Sequence, residues 1–147
     1  MKRIIKLMTF CALLASCSKE NTTTPSNPNP TPEKTPLELL KGTWKIESSI
    51  SNEVGNPSTL PDCSKDNLVT FNADGSMLAD EGNVKCDSMD AQISTGTWKM
   101  ANYPTLEFKP DATTEFTVVK VIQLDEMYLK YEMPVDTRIY TLTWKRK

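Results

Sequence analysis

The run Leu40-Lys41-Gly42-Thr43-Trp44-Lys45-Ile46-Glu47-Ser48-Ser49-Ile50 decides the fold. From Trp44 onward its even positions are mostly apolar and its odd positions polar, the period of a strand with one buried face. Gly42-Thr43-Trp44-Lys45 returns as Gly96-Thr97-Trp98-Lys99, and Thr143-Trp144-Lys145 repeats its last three residues. All three tryptophans of the protein lie in these segments. Residues 46–62 and 100–116 share nothing further, so the repeat is one structural need met more than once and not a duplicated domain. A glycine lets the chain bend as it enters a strand, and a tryptophan two residues on sends a large ring inward.

Working outward, the same alternation recurs. Phe116, Val118, Ile122 and Leu124 share one parity, interrupted by Lys120. Met127, Leu129, Tyr131 and Met133 share a face of the next run, and Tyr140, Leu142 and Trp144 of the last. The runs predict strands near 43–50, 67–72, 76–81, 93–100, 105–109, 114–124, 127–133 and 137–146, after one short helical piece at 36–40. Eight short sequential strands with one apolar face predict an all-β domain, an up-and-down antiparallel barrel or a sandwich.

Cys63 and Cys86 flank a strand, an Asp74-Gly75 turn and a second strand. Their midpoint falls between Asp74 and Gly75, so the two cysteines should face each other across the open end of a hairpin and form a disulfide. A bridge closing a loop of this size contributes on the order of 3 kcal/mol. A zinc site would be incomplete with two thiols and no histidine, and the Cys-x-x-Cys spacing of a redox pair is absent.

The N-terminus has a different character. Met1-Lys2-Arg3-Ile4-Ile5-Lys6, the apolar run from Leu7 to Ala15 and the small residues before Cys17 make a secretory leader, too short in its apolar part to span a bilayer. Leu14-Ala15-Ser16-Cys17 resembles the lipobox of bacterial lipoproteins, which implies a signal peptide over 1–16 and lipidation of Cys17, with more than one acyl chain for a stable anchor. The localisation implied is the outer membrane of a Gram-negative bacterium, facing the periplasm or, through the Ser18-Lys19-Glu20 tag, the cell surface. Asn21 to Pro36 contains five prolines and no large apolar residue. It has nothing to bury against the entropy of ordering, so residues 17–36 read as a disordered tether in front of one domain at 37–147. Losing Lys2, Arg3 and Lys6 leaves 14 basic against 19 acidic residues, a net charge of −5 that argues against nucleic acid. The membrane contact expected is the lipid anchor alone.

A short helix leading into Gly-x-Trp on the first of eight strands resembles the lipocalin superfamily, in particular the lipocalin-like domains of bacterial lipoproteins. Leu40-Lys41-Gly42-Thr43-Trp44, Cys63 with Asp66, Asn67 and Phe71, Asp74-Gly75, Cys86 and Gly96 to Trp98 carry the likeness. It implies an eight-stranded lipocalin-like barrel closed by Gly42, Trp44, Gly96, Trp98 and Trp144. It also implies an arginine of the last strand over Trp44, for which Arg138 and Arg146 both qualify.

Enzymatic chemistry has little to work with. The protein has no histidine, so the commonest general base and metal ligand are missing. The acidic stretch from Asp80 to Asp90 lacks the EF-hand spacing and reads as a solvated loop. The expectation is a monomeric non-enzyme with no cofactor and no metal. The superfamily likeness implies a small apolar ligand in the barrel, lined by Phe71, Met77, Met100, Leu106, Phe108, Phe116, Val118, Tyr131 and Met133, with Ser48 and Tyr131 as polar points. Met77, Met100, Leu106, Tyr131 and Met133 would wall its open end. The alternative is a barrel filled by its own side chains that meets a protein or glycan through loops 51–66 and 82–92.

Overall fold

The computed structural model describes residues 33–53 and 60–147. The expected leader, the lipidation at Cys17 and almost all of the tether lie outside those residues. Thr35 starts the helix α1 (Pro36–Leu40): its hydroxyl accepts the Glu38 N–H at 3.3 Å, and the Glu38 carboxylate accepts the Thr35 N–H at 2.8 Å. This reciprocal cap, with proline at the first helical position, fixes a helix only five residues long. Its last residue, Leu40, is fully buried.

Eight strands follow: β1 (Gly42–Ser51), β2 (Leu68–Phe71), β3 (Ser76–Asp80), β4 (Ile93–Lys99), β5 (Thr105–Pro110), β6 (Thr117–Leu124), β7 (Tyr128–Val135) and β8 (Arg138–Arg146). Each pairs antiparallel with the next, and β8 returns to β1, closing a barrel in sequence order. Among the described residues the buried apolar side chains lie between Leu40 and Trp144, on the barrel strands and the last residue of α1. The turns at 72–75, 100–104 and 125–127 share one end with α1. The described connecting residues 52–53 and 60–67, with 81–92, 111–116 and 136–137, share the other, the open end.

Two register shifts correct the simple alternation. In β1, Ile46 faces Trp144, but the shift between Ile46 and Ser48 sets Ser48 opposite Thr143 and Ser49 opposite Leu142. The inward phase therefore passes to odd positions, leaving Ile50 half exposed and Ser51 buried. Ser48 is not the interior polar point expected. In β6 the inward residues are Val119 and Val121 and, past the shift between Val121 and Gln123, Leu124 as expected, whereas Phe116, Val118 and Ile122 are exposed. The expected lining positions Phe116 and Val118 are thus outside the barrel. The even parity would have carried the Lys120 ammonium into an apolar interior without a partner, a cost that apolar burial on the other face does not repay. Phe116 instead lies beneath the Lys99 ammonium, 4.3 Å from its ring centroid. Met127, placed on the inward face of β7 by its parity, sits in the preceding turn and is exposed.

Candidate functional site

The closed end is built from the repeated motif. Gly42 has φ +123°, a conformation that a side chain resists, and a Cβ there would lie 2.7 Å from an Arg146 nitrogen. That space lets the Arg146 guanidinium lie over the Trp44 ring, 4.1 Å from its centroid, and donate to the backbone carbonyls of Lys41 (2.9 Å), Leu39 and Glu126 (2.8 Å). Arg146 is therefore the last-strand arginine; Arg138 pairs with Glu53 at the other end, at 3.3 Å. Trp44 donates its indole N–H to the Leu40 carbonyl at 2.8 Å, joining helix to strand. Gly96 serves differently from Gly42: it sits inside β4, where a Cβ would meet the Lys109 carbonyl at 2.5 Å, so it permits close approach of β5 and not a bend. Two residues on, Trp98 packs edge-on to Phe71 and donates to the Asn72 carbonyl at 3.0 Å.

Above this floor the interior is occupied by side chains. Ile46, Val69, Phe71, Met77, Leu106, Val119, Val121, Leu129, Tyr131, Leu142 and Trp144 are all buried. Phe108, Met133, Tyr140 and Leu60 are half-buried and pack against them. The Tyr131 ring stacks on Trp144 at 6.4 Å and tilts toward Phe108 at 6.3 Å. Burial pushes the Tyr131 hydroxyl well above the usual phenol range, with the neighbouring Trp144 N–H opposing this weakly. That N–H approaches without hydrogen-bond geometry, and the buried Trp144 Nε1 has no partner. A buried donor left so costs roughly 1–3 kcal/mol.

The five residues expected to wall the open end are not together. Met77 pairs with Phe71 beside the 72–75 turn, and Met100 stands in the 100–104 turn near Leu37, so both belong to the closed end. Leu106 opens β5 from that same end, Tyr131 is mid-barrel, and Met133, opposite Tyr140, alone approaches the mouth. Phe71 and Phe108 are inward as expected. The inward residues missed were Leu60, Val119 and Val121; Tyr140, read as inward, packs on the core as expected. The interruption at Lys120 was the signal for the two valines; Leu60 stands alone in a polar segment and had none.

Cys63 and Cys86 form the disulfide, with Cα atoms 5.0 Å apart. They do not extend the β2–β3 ladder, whose last pair is Leu68 with Asp80. Cys63 lies in a single 3-10 turn, Asp62–Ser64, so the bridge ties the two long loops of the open end to one another. Next to this turn, a groove of about 1040 Å³ crosses the outer face of β1. Leu60 and Ile50 supply apolar wall, while Lys45, Lys65, Lys145 and Lys147 supply cations. Lys45 and Lys145 are directly opposed across the β1–β8 pair.

Catalytic groups do not converge anywhere among the described residues. Asp74, Asp80 and Asp125 are held below the usual carboxylate range by hydrogen bonds, chiefly from Ser76, Gln92 and Gln123 respectively, and each organises a turn. No group of three or more histidine, cysteine, aspartate or glutamate side chains among the described residues is arranged to hold a metal ion. Compared with known families, residues 40–131 match the model of a lipocalin-like domain. The match ends within β7, so the closing strand lies beyond it. No curated protein matches the chain.

Proposed function

Because this chain belongs to the lipocalin-like domain family, we propose that it is a lipid-anchored, non-enzymatic binding protein that takes a small hydrophobic molecule into its barrel through the open end. The observation that carries this reading is the group of half-buried apolar side chains at Leu60, Phe108, Met133 and Tyr140, which pack on the core from the open half of the barrel, as Met100 and Leu124 do at the closed end. An eight-stranded barrel is just wide enough for side chains or one small ligand, so rotation of those four apolar groups is the route by which space opens. The Leu14-Ala15-Ser16-Cys17 motif and the proline-rich stretch after it support lipidation at Cys17 and a position at the outer membrane, with the domain as a monomer and no electrostatic contact with lipid or nucleic acid.

A second reading has its own observation. A concavity of about 1040 Å³ lies outside the barrel, beside the 60–65 segment. On that reading the barrel is a filled scaffold, and the disulfide-tied loops meet a protein or glycan. The two separate in a native mass spectrum of the chain from Glu33 onward, which retains the complete barrel, recorded beside a denaturing spectrum. A discrete extra mass present only under native conditions is the expected result. A protein that stays bare after exposure to apolar metabolites would remove the ligand reading and leave the loop surface. For the anchor, Cys17→Ala should move the full chain out of the lipid-modified pool, seen as loss of incorporated labelled palmitate; unchanged labelling would contradict lipidation at that residue.

A further inference from the structure

The three tryptophans use their N–H groups unequally. Trp44 and Trp98 each donate to a backbone carbonyl at the closed end. Trp144, 9 % exposed, keeps its donor buried and unpartnered, next to the equally buried Tyr131 hydroxyl. Tyr131 stands mid-barrel beside the half-buried Phe108, and Trp144, opposite Leu129, lies below it toward the closed end, so both are deeper than the Met133 and Tyr140 side chains past which a ligand would enter.

The rest of the interior narrows what such a ligand can be. The strand lysines Lys45, Lys99, Lys109, Lys120, Lys130 and Lys145 all occupy the outward register, opposite other outward positions. Among the described residues the only guanidinium at the core, that of Arg146, has its donors committed to three backbone carbonyls and its face to Trp44. The interior therefore offers donors without a cation. A neutral oxygen acceptor gains a hydrogen bond there at small desolvation cost, while a carboxylate or phosphate would be buried uncompensated. A donor already buried and unpaired also favours discrimination, since a ligand lacking the acceptor leaves it unpaired.

Resting on the ligand reading above, we propose that the molecule held in the barrel is uncharged and apolar with a carbonyl or ester oxygen, which accepts the Trp144 indole N–H, the Tyr131 hydroxyl flanking it. Fatty-acid anions of the same length are excluded by the missing cation.

The test is an indole ¹⁵N–¹H titration of the chain from Glu33 onward, which displays three tryptophan signals. Methyl dodecanoate and dodecanoate at pH 8 are the two probes, matched in chain length and differing in charge. The Trp144 signal, assigned through its contacts to the Tyr131 ring, should move downfield with the ester while those of Trp44 and Trp98 hold still. Dodecanoate should bind on the order of tenfold more weakly or not at all. Trp144→Phe should reduce ester affinity by about the same factor, and Tyr131→Phe, which keeps the ring and the packing, by less. Ester binding with the Trp144 signal unmoved, or dodecanoate binding as tightly, would overturn the assignment of ligand class while leaving a ligand in the barrel. If neither probe binds by this titration or by a native mass adduct, the proposal and the reading beneath it both fall.

Discussion

The two ends of this barrel are made on different terms. At the closed end, the Arg146 guanidinium and the Trp44 and Trp98 indoles all donate to backbone carbonyls, and Gly42 and Gly96 clear the space for a guanidinium and a neighbouring strand. At the open end, apolar side chains are half-buried, the loops are long, and a single covalent bond ties two of them. One end is specified by many interlocking contacts, which is why its tryptophan motif recurs. The other is left adaptable, as a site that must admit a ligand requires.

Breaking the closed end should cost most. Trp44→Ala removes a fully buried ring, its hydrogen bond and the support under Arg146, and should lower stability by about 3–5 kcal/mol in a denaturant titration. Removing the disulfide with Cys63→Ala and Cys86→Ala should cost about 3 kcal/mol, with the loss read by hydrogen exchange concentrated in 60–66 and 82–92 while the closed end stays protected. Equal loosening at both ends would contradict the comparison. The inward phase of β6 is sharpened by a pair one residue apart. Val119→Thr, which puts a hydroxyl into the core, should cost about 1–3 kcal/mol, whereas Val118→Thr should stay within about 0.5 kcal/mol. The reverse order would restore the even parity.

The smallest effect is expected from pH. The Tyr131 proton is held more firmly folded than unfolded, so the unfolded chain loses it first as pH rises through about 10. The contribution is complete below that value and declines above it. The melting temperature should therefore fall beyond about pH 10, and Tyr131→Phe should flatten that fall; an identical alkaline profile in the variant would place the titrating group elsewhere.

Much of this was legible in the residues. Eight strands, their order and the α1 helix follow from alternation and turn signals, and the strand ends agree within a few residues, most widely at the start of β6. The cysteine pair was legible because two loops of one hairpin converge at one end whatever the exact register. What escaped was phase. A register shift leaves no mark of its own in a sequence, and in β1 and β6 apolar residues occupy both parities, so Ile50, Phe116 and Val118 pass for core. Lys120 was the one residue there that could not be inward. The end of the barrel to which Met77 and Met100 belong was recoverable from up-and-down topology, since alternate connections must share an end. The unpartnered Trp144 N–H was not recoverable, because which indole finds a carbonyl depends on backbone placement that only three-dimensional closure sets.

Residue-resolved amide exchange on the unliganded chain tests the contrast between the ends most directly. The slowest amides should lie at Trp44, Ile46, Leu129 and Trp144, with exchange rising toward Ser51, Met133 and Tyr140 along the same strands. Uniform protection from end to end, or slower exchange at the mouth than around Trp44, would contradict a barrel that is fixed at one end and opens at the other.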